Sequence, residues 1–127
     1  MRALHTYREP SPICEENNLI LLGSIFLAIT LATPQGLQEY AAKQVEPYEV
    51  KCMVKLWTKE SNWRVEAKSP THDYGIPQRH MKGKSKSQIK KFRSSAIMQI
   101  QWGVGYVRHR YGDFCTALDF HMINNWY

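Results

Sequence analysis

A chain of 127 residues has room for one domain and is long enough to fold without a metal or several disulfides. Its composition, 43% hydrophobic, 22% charged and 12% aromatic, is typical of a globular protein and excludes disorder throughout the chain. The net charge of +6 is concentrated in residues 47–127, where fourteen basic side chains face six acidic ones. This favours a polyanionic partner or surface, and charge alone leaves nucleic acid, anionic lipid and an acidic cell wall open.

Residues 19–32 form an uncharged apolar run, LILLGSIFLAITLA. The run is shorter than the ~20 residues of a membrane-spanning helix and typical of the apolar region of a secretory signal. Thr30 and Ala32 are small enough for the −3 and −1 positions of a cleavage site before Thr33. Because acidic residues precede the run, a membrane anchor or a buried helix stays open beside the signal peptide. We therefore divide the chain into an N-terminal segment, 1–36, and a domain, 37–127.

The stretch from about Tyr48 to Ser61 predicts a helix with an acid on its apolar face. Its apolar positions recur at helical spacing and are Val50, Met53, Val54 and Trp57. Glu60 lies three residues beyond Trp57 and therefore on the same stripe. A carboxylate there either pairs with a base, such as Lys59 or Arg64, or has its charged form destabilised by desolvation. Glu60 is thus a candidate acid.

Three further helices are predicted, and their bounds are Leu37 to Val45, Ile97 to Tyr111, and a short one that starts at Thr116. Ser94 or Ser95 can cap the long helix and Gly112 can end it. Gly103 and Gly105 inside it each cost about 1 kcal/mol relative to alanine, which predicts close packing against another backbone. The lysine-rich stretch Arg79 to Arg93 is predicted to be a surface loop. With no alternating strand pattern, the fold should be mostly helical.

Cys14, Cys52 and Cys115 are too few and too widely spaced for a disulfide framework. No CxxC or histidine-rich spacing indicates a metal site, so we predict no metal and no cofactor. Cys52 and Cys115 either form a disulfide in an exported domain or stay as buried free thiols.

Two long stretches and the chain end carry motifs in a fixed order. They are LWTKESNWRVEAKSPTHDYGIPQ (56–78), QIQWGVGYVRHRYGDFCTAL (99–118) and the terminal NNWY. This set resembles the lytic transglycosylase domain of the goose-lysozyme-like superfamily, in the variant found in actinobacteria and their phages, over roughly Val50 to Tyr127. The resemblance implies a small lysozyme-like helical domain that cleaves peptidoglycan. It also implies a monomer that is secreted, anchored in a membrane facing the cell wall, or associated with a phage virion.

The resemblance also assigns roles to residues. It makes Glu60 the general acid that protonates the glycosidic oxygen between MurNAc and GlcNAc, and then the base for the sugar's own 6-hydroxyl. A 1,6-anhydro-muramyl product follows, and no second carboxylate is required, in contrast to most glycosidases. Four residues would bind substrate: Ser61, Tyr74, Gln78 and Tyr127.

The chain departs from the family pattern along the expected cleft. His72 and Asp73 stand where small residues are expected. Asn125 stands in place of a glycine, and Phe120 stands in place of a polar residue or a tyrosine. Helical spacing places Trp57, Trp102 and Tyr106 in the core rather than on sugars, whereas Trp126 and Tyr127 either line the cleft or fray.

Three alternatives remain at this stage. They are a hydrolytic lysozyme of the same fold, a non-catalytic peptidoglycan-binding module, and a basic nucleic-acid-binding protein. We expect no nucleic-acid partner, because the lysine-rich stretch lacks neighbouring aromatic residues.

Overall fold

The computed structural model describes residues 31–127. Over that range the fold is mostly helical, as predicted. In chain order its elements are α1 (Pro34–Ala42), a 3₁₀ turn (Pro47–Glu49), α2 (Val50–Ser61), β1 (Asp73–Tyr74), β2 (Arg79–His80), α3 (Lys86–Arg93), α4 (Ala96–Tyr111) and α5 (Phe114–Asn124). None of the helices within this range is long and apolar enough to cross a membrane. The predicted signal or anchor at 19–32 lies outside the described residues, except for its last two positions.

Capping residues set most helix ends. The Ser95 hydroxyl accepts a hydrogen bond from the Met98 amide at 3.1 Å and starts α4, and Gly112, with a φ of 85°, ends it. Both agree with the prediction. The first helix begins three residues earlier than predicted, at Pro34, because the Thr33 hydroxyl accepts the Gly36 amide at 3.1 Å.

The prediction of a loop from 79 to 93 is wrong, because its second half forms α3. Ser85 and Gln88 form a reciprocal capping box, with bonds of 3.2 and 3.0 Å between each side chain and the other residue's amide. Phe92, which is fully buried, fixes the helix to the rest of the domain. The Ser-x-x-Gln pattern was visible in the sequence, and the lysines around it concealed the helix.

The last helix also begins earlier than predicted. Asp113 rather than Thr116 is its cap, and its carboxylate accepts the Thr116 amide at 2.7 Å. A short antiparallel ribbon was missed altogether. It pairs Asp73 with His80 and Tyr74 with Arg79, and two residues per strand are too few for an alternating pattern to show.

The core is built around the indole of Trp57, which is fully buried. The rings of Trp63 and Phe114 meet it edge-on, with centroids 5.3 and 5.2 Å away. A Cβ on Gly103 would lie 2.5 Å from the Trp57 ring, so only glycine lets α4 pack this closely. The contact is with a side chain and not with a backbone as expected. Gly105 faces open space, so close packing does not explain it.

A buried carboxylate links three elements at the start of α2. Glu49 accepts two bonds from the Arg108 guanidinium, at 3.1 and 2.9 Å, and one from the Phe114 amide at 2.9 Å. Next to it a disulfide joins Cys52 to Cys115, with Cα atoms 5.0 Å apart. The helices α2 and α5 therefore start at one place and run side by side.

Replacing Glu49 with glutamine should destabilise the domain, because the uncharged amide leaves the Arg108 guanidinium without its partner. We expect a loss of about 2–3 kcal/mol, below the usual cost for a fully buried pair because the Arg108 side chain is 38% exposed. Urea denaturation measures the change. Glu39→Gln, on the exposed face of α1, is the matched control and should change stability by less than about 0.5 kcal/mol. Equal effects of the two changes would contradict the assignment.

Candidate active site

A cleft of about 470 Å³ opens where the end of α2, the β-ribbon, α4 and the chain end meet. Each element contributes chemically distinct side chains to its walls, among them Glu60, Asp73, His80, Trp102, Tyr106 and Tyr127. Two carboxyl groups, an imidazole and four aromatic side chains, the fourth being Trp126, thus line one cavity.

Glu60 lies at the last turn of α2, and its side chain is 14% exposed. Neither Lys59 nor Arg64 pairs with it. The partner is His121 on α5, whose Nε2 lies 2.7 Å from Oε1 of Glu60. Sequence reasoning missed His121, although it follows Ala117 and Leu118 at helical spacing on the buried face of its helix.

Burial shifts both members of this pair toward their neutral forms. Desolvation, with a smaller contribution from the charge of Asp73, raises the pKa of Glu60 to about 7. Desolvation also lowers the pKa of His121, and the charge of Lys59 acts in the same direction. Glu60 can therefore hold a proton near neutral pH and also release it, which is what a general acid and base needs.

Asp73, which lines the same cleft from β1, has a different environment. Burial opposes its charge, but hydrogen bonds from Ser69 at 2.6 Å, from Thr71 and from His80 Nδ1 at 2.8 Å outweigh burial and lower the pKa of Asp73. The two carboxyl groups of the cleft therefore differ in protonation, with Glu60 able to stay neutral while Asp73 stays charged. The family motifs had given Asp73 no role.

Two of the predicted substrate-binding residues line the cleft with Glu60. Gln78 does so with a φ of 52°, and its side chain donates to the Gly75 carbonyl at 3.0 Å. Tyr127 also lines it, and its hydroxyl accepts from the Trp57 indole at 2.9 Å and donates to the Pro77 carbonyl at 2.8 Å. These bonds hold the chain end in place. Burial raises the pKa of Tyr127, so the hydroxyl stays protonated.

The other two predicted residues lie elsewhere. The Ser61 hydroxyl is buried and donates to the Ile76 carbonyl at 2.8 Å, which holds the segment 74–78 against α2. It supports the cleft wall from behind. Tyr74 does not line the cleft, because its ring packs with Met81 and Phe92 in a separate small cluster.

The aromatic wall corrects one expectation. Trp57 lies in the core as expected, but Trp102 and Tyr106 face the cleft. Their rings stack, with centroids 5.0 Å apart and planes 16° apart, and the Arg79 guanidinium lies 4.8 Å from the Trp102 ring. Helical spacing identifies one apolar face of α4, but it does not distinguish core contacts from a cleft wall on that face.

Comparison of the chain with protein-family models, with curated proteins and with solved structures finds no match. Among residues 31–127, no group of three or more His, Cys, Asp or Glu side chains is placed to hold a metal ion. The functional conclusion therefore depends on the cleft geometry and on the motif resemblance.

The raised pKa of Glu60 predicts a pH-dependent cost to stability. Ionising this carboxyl group is harder in the folded chain than in the unfolded chain. The stability linked to neutral Glu60 is therefore fully present below pH 4.5 and is lost as pH rises through about 7. Glu60→Gln removes this cost. The free energy of unfolding of the variant minus that of the parent should therefore be roughly 3 kcal/mol larger at pH 8 than at pH 4. Urea denaturation at both values measures this, and every other titrating group is common to the two proteins. An unchanged difference would show that Glu60 is solvated.

Proposed function

We propose that the chain is a peptidoglycan lytic transglycosylase that cleaves the β-1,4 bond between MurNAc and GlcNAc and leaves a 1,6-anhydro-muramyl product. The observation that carries the proposal is Glu60, a largely buried carboxyl group in an open cleft whose pKa of about 7 suits proton transfer in both directions. The ordered motifs independently select the same residue as the acid. The Pro77–Gln78 segment and the chain end, which carry two more of those motifs, border the same cleft.

The reaction would proceed in two proton transfers on one residue. Protonated Glu60 donates to the glycosidic oxygen as the bond between this oxygen and the muramyl anomeric carbon breaks. The Glu60 carboxylate then accepts the proton of the 6-hydroxyl of the muramyl residue. At the same time the oxygen of this hydroxyl bonds to the anomeric carbon of the same residue. Glu60 ends the cycle protonated, and no water is consumed. His121, at 2.7 Å from Oε1, would hold the carboxyl group in one orientation during both steps.

The remaining walls suit a sugar chain. The stacked rings of Trp102 and Tyr106 line the cavity and give a sugar chain an apolar wall to pack against. The Gln78 side chain lies on the same cavity and can exchange hydrogen bonds with hydroxyl or amide groups.

The disulfide supports a location outside the cytoplasm. Such bonds persist in oxidising compartments and are rare where thiol reductants are abundant. The link between Cys52 and Cys115 therefore agrees with a domain that is secreted, anchored facing the cell wall, or carried by a virion.

One observation favours a second candidate, a hydrolytic lysozyme of the same fold. Asp73 lines the same cleft as Glu60 and is held in its charged form, and its charge acts on Glu60. A carboxylate in that position can activate a water molecule, as in glycosidases that use two carboxyl groups. The product would then carry a reducing end.

Glu60→Gln should abolish release of soluble fragments from purified peptidoglycan, because the amide cannot donate a proton to the glycosidic oxygen. We expect a loss of about 100-fold to 10,000-fold, the usual contribution of a general acid. Mass spectrometry of the released muropeptides measures the rate, with Glu39→Gln as a control of full activity. Unchanged release by the Glu60 variant would refute an enzymatic role for this residue.

Asp73→Asn separates the two reactions. In a transglycosylase the variant should form anhydro ends within about tenfold of the parent rate, since the amide keeps the shape of the wall. Its pH profile should shift slightly downward, because desolvation of Glu60 remains and only the smaller contribution to its raised pKa, the charge of Asp73, is gone. Asp119→Asn, on the exposed side of α5, is the control. Reducing ends from the parent, together with a loss of more than about 100-fold on Asp73→Asn, would establish the hydrolase instead.

A further inference from the structure

A second concave surface lies behind the β-ribbon. Asp73 and Tyr74 are consecutive in β1, so their side chains point to opposite faces of the ribbon, Asp73 into the cleft and Tyr74 away from it. The basic groove, as we call this second surface, encloses about 550 Å³, and its walls include Lys68, Tyr74, Lys86, Ile89, Lys90 and Arg93. It shares no lining residue with the cleft.

The groove concentrates positive charge. Four of its side chains are cationic, and Glu66 is the single acid beside them. Lys86 and Lys90 are one turn apart on α3, a spacing at which like charges destabilise a helix. An anion that enters the groove would relieve this repulsion, which the fold otherwise has to overcome.

Part of the groove is preorganised. The Arg93 guanidinium donates to the Glu66 carbonyl at 3.4 Å and lies 5.7 Å from the centre of the Tyr74 ring. The Lys68 ammonium lies 5.9 Å from the same ring. Tyr74 thus lies beside cations of two separate segments, Lys68 before the ribbon and Arg93 at the end of α3. The same helix adds Lys86 and Lys90 to the walls of the groove. Less side-chain freedom is lost on binding when the cations are already placed.

Two features of the basic groove indicate its ligand. They are the spacing of Lys86 and Lys90 and the lack of an exposed aromatic ring among its lining residues. Residues four apart on a helix rise by about 6 Å, and phosphates follow one another at about 3.4 Å along a nucleic-acid strand, so Lys86 and Lys90 can bind separate phosphates of one linear chain. Single-stranded nucleic acids additionally require aromatic faces for their bases, whereas Tyr74 is only 5% exposed and Ile89 is aliphatic. We propose that the basic groove binds a linear phosphodiester polymer without bases. This inference does not rest on glycan cleavage.

Binding of poly(glycerol phosphate) to the full chain, measured by calorimetry over a series of salt concentrations, tests the proposal. Four cations predict a slope of roughly −3 for log affinity against log salt. Replacing Lys86 and Lys90 together by glutamine should halve that slope and weaken binding by about tenfold or more at low salt. The matched control replaces Lys51 and Lys55, which have the same spacing on the exposed face of α2, and should keep both the slope and most of the affinity.

Three outcomes would overturn the proposal. Equal losses of affinity in the Lys86/Lys90 variant and the Lys51/Lys55 variant would mean that the net charge of the chain alone attracts the polymer. Absence of binding at low salt by a parent chain that melts cooperatively would mean that the groove is only solvated. Tighter binding of an oligothymidylate of matched charge would assign the groove to nucleic acid. Thermal melting of both variants verifies that each is folded, and none of these measurements depends on peptidoglycan cleavage.

Discussion

The buried carboxylate of Glu49 determines how the two helices of the site lie against each other. A charge taken out of water is tolerated only where hydrogen bonds replace its hydration, and Glu49 receives them from Arg108 of α4, from the Phe114 amide and from the Glu46 amide. All of these bonds can form only when the start of α2, the start of α5 and the end of α4 lie together. The disulfide between the first turns of α2 and α5 reinforces this alignment. Glu60 and His121, near the other ends of those helices, are then brought into contact.

The chemistry of the cleft follows from unequal solvation of two similar groups. Glu60 loses water and gains no strong donor besides His121, so its neutral form is favoured. Asp73 is also partly buried, but three side-chain donors compensate and keep it charged. The same functional group therefore stays protonated on one wall and ionised on the other. Ser61 and Tyr127 fix the position of the segment 74–78 in the cleft wall by donating to the Ile76 and Pro77 carbonyls.

Errors of prediction arose where local signals conflicted or were too short. In α3 the lysines and Gly83 suggested a loop, although the capping box from Ser85 to Gln88 and the apolar Phe92 were present. The ribbon has two residues per strand, so no period could show. Asn125, where the motif resemblance leads us to expect glycine, has a φ of 61°, a left-handed conformation that asparagine tolerates.

Local sequence determined the helical class, the start of α4 at Ser94 or Ser95 and its end at Gly112. It also placed Glu60 on the apolar stripe at the end of its helix. Periodicity and capping allow this because they depend on neighbours within one or two turns. The partners of Glu60 were decided only by the tertiary structure. His121 reaches Glu60 through the packing of α5 against α2, and Asp73 reaches the cleft through the ribbon. Helical spacing puts His121 on the buried face of α5, but it does not show which residue His121 meets there. The same holds for Trp102 and Tyr106, since one face of a helix can meet both the core and an open cleft. Solvation of each side chain, and hence its charge, depends on distant residues that no local pattern identifies.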